Sequence, residues 1–163
     1  MTDKTRILFV CLGNIVRSPL GENMFAHLAA QAGLDGKYEV DSAGTSGYHV
    51  GETPDRRMRQ VAAEFGLNYS GRARQVRPDD FTHFDLIIAM DTSNRQDLLQ
   101  IAANESQRAK VHLMRAFDPQ GKPTDGVPDP YYGGIDGFYN VYRIVERSCR
   151  TLLEKLEAGE LLG

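Results

Sequence analysis

Ile7-Leu8-Phe9-Val10 is an unbroken apolar run that ends in Cys11-Leu12-Gly13-Asn14-Ile15-Val16-Arg17, followed by Ser18-Pro19. No other junction constrains the fold as strongly. A short apolar run bounded by a glycine-containing loop predicts a parallel strand buried on both faces. Ser18 before Pro19 predicts an N-cap with proline at the first helical position, where its missing N–H costs nothing. A strand, a loop and a helix N-terminus in that order aim backbone amides at one spot and favour negative charge there. The same field stabilises a thiolate, the reactive form of cysteine. Arg17 adds a planar, permanently charged fork that matches two oxygens of an oxyanion, which lysine cannot do geometrically. A strand-end cysteine is more often an inert buried thiol, and a first-turn arginine a surface cation. The glycine in the loop, Ser18 after Arg17 and the strand-to-helix setting make the joint pattern specific.

The rest of the chain alternates in the same way. A helix over 19–31 carries Met24, Phe25, Leu28 and Ala32 on one stripe and stops at Gly33. A short strand over 38–41 leads into the loop Ser42-Ala43-Gly44-Thr45-Ser46-Gly47. Thr53-Pro54-Asp55 repeats the cap-then-proline start, and its helix carries Met58, Val61, Ala62 and Phe65 before Gly66. Strands are expected over 84–90 and 111–117, with Asp91-Thr92-Ser93-Asn94 opening a helix through Ile101. Residues 118–137 are rich in glycine, proline and aspartate, and a loop that long in a compact domain is usually functional or mobile. A last helix over 138–157 has Val141, Val145, Cys149, Leu152 and Leu156 as its core stripe. Alternating strands and helices predict one α/β domain over 1–163, a four-stranded parallel sheet with helices on both faces. Ligands of such sheets bind beyond the carboxyl ends of the strands, so the four loops that leave those ends should share one rim.

Charge and composition remove several function classes. A net charge of −3 gives no electrostatic case for nucleic acid as a partner. The longest apolar stretches are too short for membrane insertion, and the N-terminus has no basic-plus-apolar signal segment. Two cysteines make no disulfide framework, so a cytoplasmic location is expected. His27, His49, His83 and His112 lack metal-ligand spacing, so no metal and no cofactor is expected.

Attack of a cysteine on phosphorus needs a proton for the departing oxygen, and no metal is at hand to replace it. Asp129 in Asp129-Pro130-Tyr131-Tyr132-Gly133-Gly134 is the preferred acid, with Asp118 and Asp125 of the same loop as alternatives. An aspartate before proline also serves simply as a turn residue. The two tyrosines favour the chemical role, because exposed aromatics beside a carboxylate offer a face for an aromatic leaving group.

With these pieces in place, the chain resembles the low-molecular-weight protein tyrosine phosphatases along essentially its whole length. The matching motifs are Val10-Cys11-Leu12-Gly13-Asn14-Ile15, Arg17-Ser18-Pro19, Asp41-Ser42-Ala43-Gly44, Ala73-Arg74-Gln75-Val76, Ala89-Met90-Asp91 and Asp129-Pro130-Tyr131-Tyr132-Gly133. The resemblance implies a three-layer α/β/α fold, flavodoxin-like and of the phosphotyrosine phosphatase I type. It implies hydrolysis of phosphotyrosine through a phosphocysteine on Cys11, with Arg17 and the amides of Leu12 to Ser18 holding phosphate and Asp129 as acid and then base. Ser18 would hydrogen-bond the sulfur, and Asn14 and Ser42 would hold the loop in shape, asparagine being tolerant of a left-handed backbone. Leu12, Ile15, Tyr48, Tyr131 and Tyr132 would wall a slot that suits phosphotyrosine better than the shorter phosphoserine. Phosphotyrosine-containing proteins are the implied substrates, and a monomer or weak homodimer is the expected state.

Two positions depart from the family pattern. Val16 stands where the family usually has a second cysteine that traps an oxidised nucleophile as a disulfide. Peroxide should therefore drive Cys11 to irreversible sulfinic acid more readily, and full recovery with a thiol reductant would contradict this. Gly71 stands where relatives often have a histidine that braces the asparagine–serine network, so another group must take that part. Among rival activities, a thioredoxin-coupled arsenate reductase shares the fold but needs relay cysteines after the third strand, where 89–110 has none. A catalytically inactive phosphotyrosine-binding module does not account for retaining Cys11, Arg17 and Asp129 together. A nucleotide P-loop lacks its Gly-Lys-Ser/Thr.

Overall fold

The computed structural model describes residues 4–161. Four strands, β1 (Thr5–Cys11), β2 (Tyr38–Gly44), β3 (Leu86–Ala89) and β4 (Val111–Leu113), form one parallel sheet in the order β2-β1-β3-β4. Six α-helices flank it among the described residues: α1 (Arg17–Gln31), α2 (Arg56–Glu64), α3 (Asp80–His83), α4 (Thr92–Ile101), α5 (Glu105–Arg108) and α6 (Ile135–Glu157). The apolar run of β1 serves both faces of the sheet. Ile7 and Phe9 pack with Leu20, Met24 and Phe25 of α1 and the buried stripe of α6. Leu8 and Val10 pack on the other face with Phe81, Phe84 and Leu98. The strand's period of two therefore builds two cores and fixes the three-layer α/β/α architecture.

β1 lies at the point where the strand order reverses, with β2 on one side and β3 on the other. In a doubly wound sheet that reversal opens a crevice at the carboxyl ends of the central strands. Cys11 ends β1, Gly44 ends β2 and Asp91 follows β3, so all three open onto the crevice. The long loop is tied there too, since the Val127 N–H donates to the Met90 carbonyl at 2.7 Å. The shared rim expected from the loop positions is present.

Several boundaries differ from the sequence reading. Helix α1 starts at Arg17, with Val16 in the cap position and no side-chain cap, so Ser18 is not an N-cap and Pro19 is the third helical residue. The Ser18 hydroxyl is drawn instead toward the Cys11 sulfur and the Ala43 carbonyl. Ala32, expected on the buried stripe, is exposed beyond the helix end. Strand β2 continues through Ser42, Ala43 and Gly44, which pair with Phe9, Val10 and Cys11 rather than forming a loop. Asp55, not Thr53, caps α2 by accepting the Arg57 N–H at 2.8 Å. Phe65 lies past the end of α2, half exposed, and stacks on Tyr142 with ring centroids 4.4 Å apart. Strand β4 stops at Leu113, and Met114–Phe117 turns into a 3-10 segment that buries both Met114 and Phe117. Helix α6 begins at Ile135, ahead of the expected start.

Candidate active site

The loop from Cys11 to Ser18 is held from beneath by a run of side-chain hydrogen bonds. Asn14 has φ +57°, the only positive value at a non-glycine among the described residues. A strained backbone of this kind persists only where its surroundings fix it. Here the Asn14 Nδ2 donates to Ser18 Oγ at 2.8 Å and to Ser42 Oγ at 3.0 Å, while its Oδ1 accepts the Arg74 N–H at 2.9 Å. Ser42 in turn donates to Glu22 Oε1 at 2.6 Å. Glu22 and the Arg74 main chain thus supply the bracing that Gly71 cannot. Gly71 has φ +133°, and nothing lies within 4 Å of where its Cβ would be.

Cys11 lies above this brace. Its sulfur is 3.0 Å from Ser18 Oγ and receives the Asn14 backbone N–H at 3.3 Å. Ser18 already accepts from Asn14, so its one proton is divided between the sulfur at 3.0 Å and the Ala43 carbonyl at 3.3 Å. The Asn14 N–H and the Ser18 hydroxyl thus both meet the sulfur at the N-terminus of α1. Arg17, with only 4% of its side chain exposed, is aimed rather than free. Its Nη1 donates to Asp91 Oδ2 at 2.7 Å and to the Val127 carbonyl at 2.9 Å, leaving Nη2 at 3.7 Å from Asp129 Oδ2.

The cavity above the sulfur holds about 420 Å³. Leu12, Ile15, Tyr48, Tyr131 and Tyr132 all line it, as do Gly13, Val16 and Asp129. Tyr48 and Tyr132 stand almost fully exposed at the mouth, while Ile15 is buried. Asp129 is exposed, and its Oδ1 accepts the Tyr131 N–H at 3.1 Å. Asp118 is elsewhere: its buried carboxylate pairs with Arg147 at 3.0 Å and Arg115 at 2.9 Å, and although burial raises it, the Arg147 and Gln120 hydrogen bonds and the two guanidinium charges hold it below the usual carboxylate range. Asp125 closes its own turn by accepting the Lys122 N–H at 2.8 Å. Neither lines the cavity, so of the three loop aspartates only Asp129 reaches it.

Ser46, which lines the cavity, and Asp91, His49 and Glu22 escaped the sequence reading. Asp91 was expected to cap α4, and its Oδ1 does accept the Asn94 N–H, but its other oxygen holds Arg17. An acid at the carboxyl end of the strand beside β1 was the available signal. His49 forms a wall between Tyr48 and Tyr131, with centroids 4.8 and 6.2 Å away, and its Nδ1 is 2.9 Å from Glu52. Its ring lies so close to Gly13 that a Cβ there would meet it at 2.9 Å, so a larger residue would push the ring from its place in the wall. Glu22 was signalled only by lying one helical turn after Ser18.

A buried thiol and an aimed guanidinium in an amide-lined loop at the switch point of a parallel sheet are the apparatus of cysteine-dependent phosphate chemistry. A family model described as low molecular weight phosphotyrosine protein phosphatase matches residues 6–160. A relative from Synechocystis sp. bearing the low molecular weight protein-tyrosine-phosphatase name is 46% identical over 151 residues, covering 93% of this chain and 96% of its own. The human low molecular weight phosphotyrosine protein phosphatase is 41% identical over 150 residues, covering 91% and 94%. A crystal structure of a protein tyrosine phosphatase from Entamoeba histolytica, with Hepes in the active site, superposes with a TM-score of 0.93 at 43% identity, covering 97% of this chain and 100% of that one. The chain belongs to the low molecular weight phosphotyrosine protein phosphatase family.

Proposed function

We propose that this chain is a protein tyrosine phosphatase that works through a phosphocysteine on Cys11. The observation that carries this reading is the meeting of Cys11, Arg17 and Asp129 in one aromatic-walled cavity, with the sulfur at its floor. The loop amides and Arg17 hold the non-bridging oxygens of the phosphoryl group. The thiolate attacks phosphorus in line, so that a sulfur–phosphorus bond forms as the phosphorus–oxygen bond to tyrosine breaks. Asp129 gives its proton to the departing phenoxide. Asp129, now ionised, takes a proton from water, which attacks phosphorus and returns the thiolate with release of phosphate. The Ser18 hydroxyl stabilises sulfur as nucleophile and again as leaving group. Asp91 and the Val127 carbonyl reach the phosphoryl group only through Arg17 and are positioning groups.

The substrates in this reading are proteins carrying exposed phosphotyrosine. Leu12, Ile15, Tyr48, Tyr131 and Tyr132 form walls that suit a flat ring. A phosphoserine stem is too short to bring phosphorus down to the sulfur of Cys11, a residue only 3% exposed. The phosphatase domain is assigned to the whole of 1–163, acting in the cytoplasm, where thiols stay reduced. Among the described residues no helix is long and apolar enough to cross a membrane. Cys149 does not serve as a relay thiol of an arsenate reductase, because it is fully buried on α6 and burial pushes its thiol far up. The test is a matched peptide pair, phosphotyrosine against phosphoserine. Turnover of the first at least about 10²-fold above the second is expected, from loss of productive positioning. Equal turnover of the two would remove the slot from the account.

A further inference from the structure

We propose that Glu22 is a positioning residue of the phosphate loop, whose proton sets how tightly the loop holds a dianion. Glu22 does not line the cavity; it lies beneath, at the end of the run Cys11 Sγ, Ser18 Oγ, Asn14 Nδ2, Ser42 Oγ, Glu22 Oε1. The links measure 3.0, 2.8, 3.0 and 2.6 Å, with no solvent gap between them. Ser42 accepts from Asn14 and therefore has one proton to offer, which it gives to an ionised Glu22. With Glu22 protonated, that contact reverses or loosens and the Asn14 amide is held by different partners.

The charged and titratable groups facing Glu22 are Asp41 from β2, Arg74 from the segment alongside its end, and Tyr69 just before that segment. Arg74 is already committed, at 3.0 Å from Asp41 and 3.1 Å from Asp80. Glu22 therefore has no cation of its own and a like charge nearby. Burial, aided by Asp41 and opposed by the Ser42 hydroxyl and Arg74, pushes its carboxyl up to about 7. Both proton states are consequently populated near neutrality.

An occupied loop carries a thiolate and a bound dianion above this same carboxyl. A further negative charge in a poorly screened interior is unfavourable, so dianion binding favours the protonated form. Linkage makes the effect mutual: a factor by which the dianion raises proton affinity at Glu22 is the factor by which that proton tightens the dianion. The proton is exchanged with solvent and no bond to phosphorus changes.

The inference rests on the loop being the anion site, and sulfate, a fixed dianion across the neutral range, separates the two claims. Carbon-13 NMR of the Glu22 carboxyl in the native chain should show a midpoint near neutrality that rises when sulfate binds. Sulfate affinity should weaken about 3–5-fold more between about pH 6 and about pH 8 in the native chain than in Glu22→Gln, the equivalent of a shift of up to about one pH unit. Ser42→Ala, which keeps the carboxyl and cuts the run, should shrink the sulfate-induced rise. A Glu22 midpoint in the ordinary carboxylate range, a midpoint unmoved by sulfate, or equal slopes in native chain and variant would each overturn the linkage. Failure of the native chain to bind sulfate at all would contradict the anion site itself.

Discussion

The thiol side of the cavity and the acid side are built to opposite standards. Arg17 keeps 4% of its side chain exposed and has two fixed acceptors, whereas Asp129 keeps 42% exposed and accepts one backbone N–H. Cys11, Asn14 and Ser18 are likewise buried and mutually bonded. The loop bearing Asp129 is anchored before it, where Asp118 is gripped by Arg115 and Arg147 and Val127 is tied to Met90, and after it, where Arg57 donates to the Tyr131 carbonyl at 2.9 Å, but the carboxylate between stays half exposed. The contrast follows from what each side must do. Groups that stabilise developing charge act best when their dipoles are already in place and need not reorganise. A group that delivers a proton, recovers one from water and lets product leave needs solvent and room to move.

The contrast can be broken from either side. Cys11→Ser should abolish turnover while leaving the amide cradle able to bind a phosphopeptide, since a hydroxyl there is a poor nucleophile. Stopped activity with retained binding by calorimetry is the expected pair of results. Asp129→Ala should lower kcat by about 10²–10⁴ with aryl phosphates whose phenol is a poor leaving group, and by less as the leaving group improves. A flat loss across leaving groups would place the acid elsewhere. Asp91→Asn keeps the shape but removes the charge that aims Arg17. It should cost about 1–3 kcal/mol of transition-state binding, read as kcat/KM, with the helix cap retained.

A further effect concerns stability, not turnover, beneath the loop. Because the Glu22 carboxyl is raised in the folded chain, its contribution favours folding at low pH and is lost as pH climbs from about 4.5 to about 7. Glu22→Gln cannot ionise, so its stability relative to the native chain should improve by up to about 3 kcal/mol between acid and mildly alkaline pH. Denaturant midpoints measured across that range give the answer. A difference independent of pH would return Glu22 to an ordinary carboxylate.

The legibility of the two sides in the sequence differs for a related reason. β1, the Cys11 loop and α1 could be read directly, because an apolar run, a glycine-bearing loop and a helix are local patterns. The role of Ser18 could not. Its proline neighbour signals a cap, yet the sulfur seven residues back and the Ala43 carbonyl of another strand compete for the hydroxyl and win. Asp41-Ser42-Ala43-Gly44 has the composition of a turn, and only the ladder with β1 keeps it extended. Asp129 was reachable through its tyrosines, while discarding Asp118 required seeing its two arginines. Asp91, His49 and Glu22 owe their places to contacts across the chain. Glu22 meets Ser42 from 20 positions away, and no local period announces such a pairing.

The central claim is a covalent bond between phosphorus and Cys11, and rapid acid quench during turnover of a phosphotyrosine peptide tests it most directly. A phosphoryl group is expected on the peptide containing Cys11, formed as fast as phenol is released and longer-lived in Asp129→Ala, which lacks the base for the second step. Phosphate released at full rate with no label on Cys11, or with the label on another residue, would contradict it.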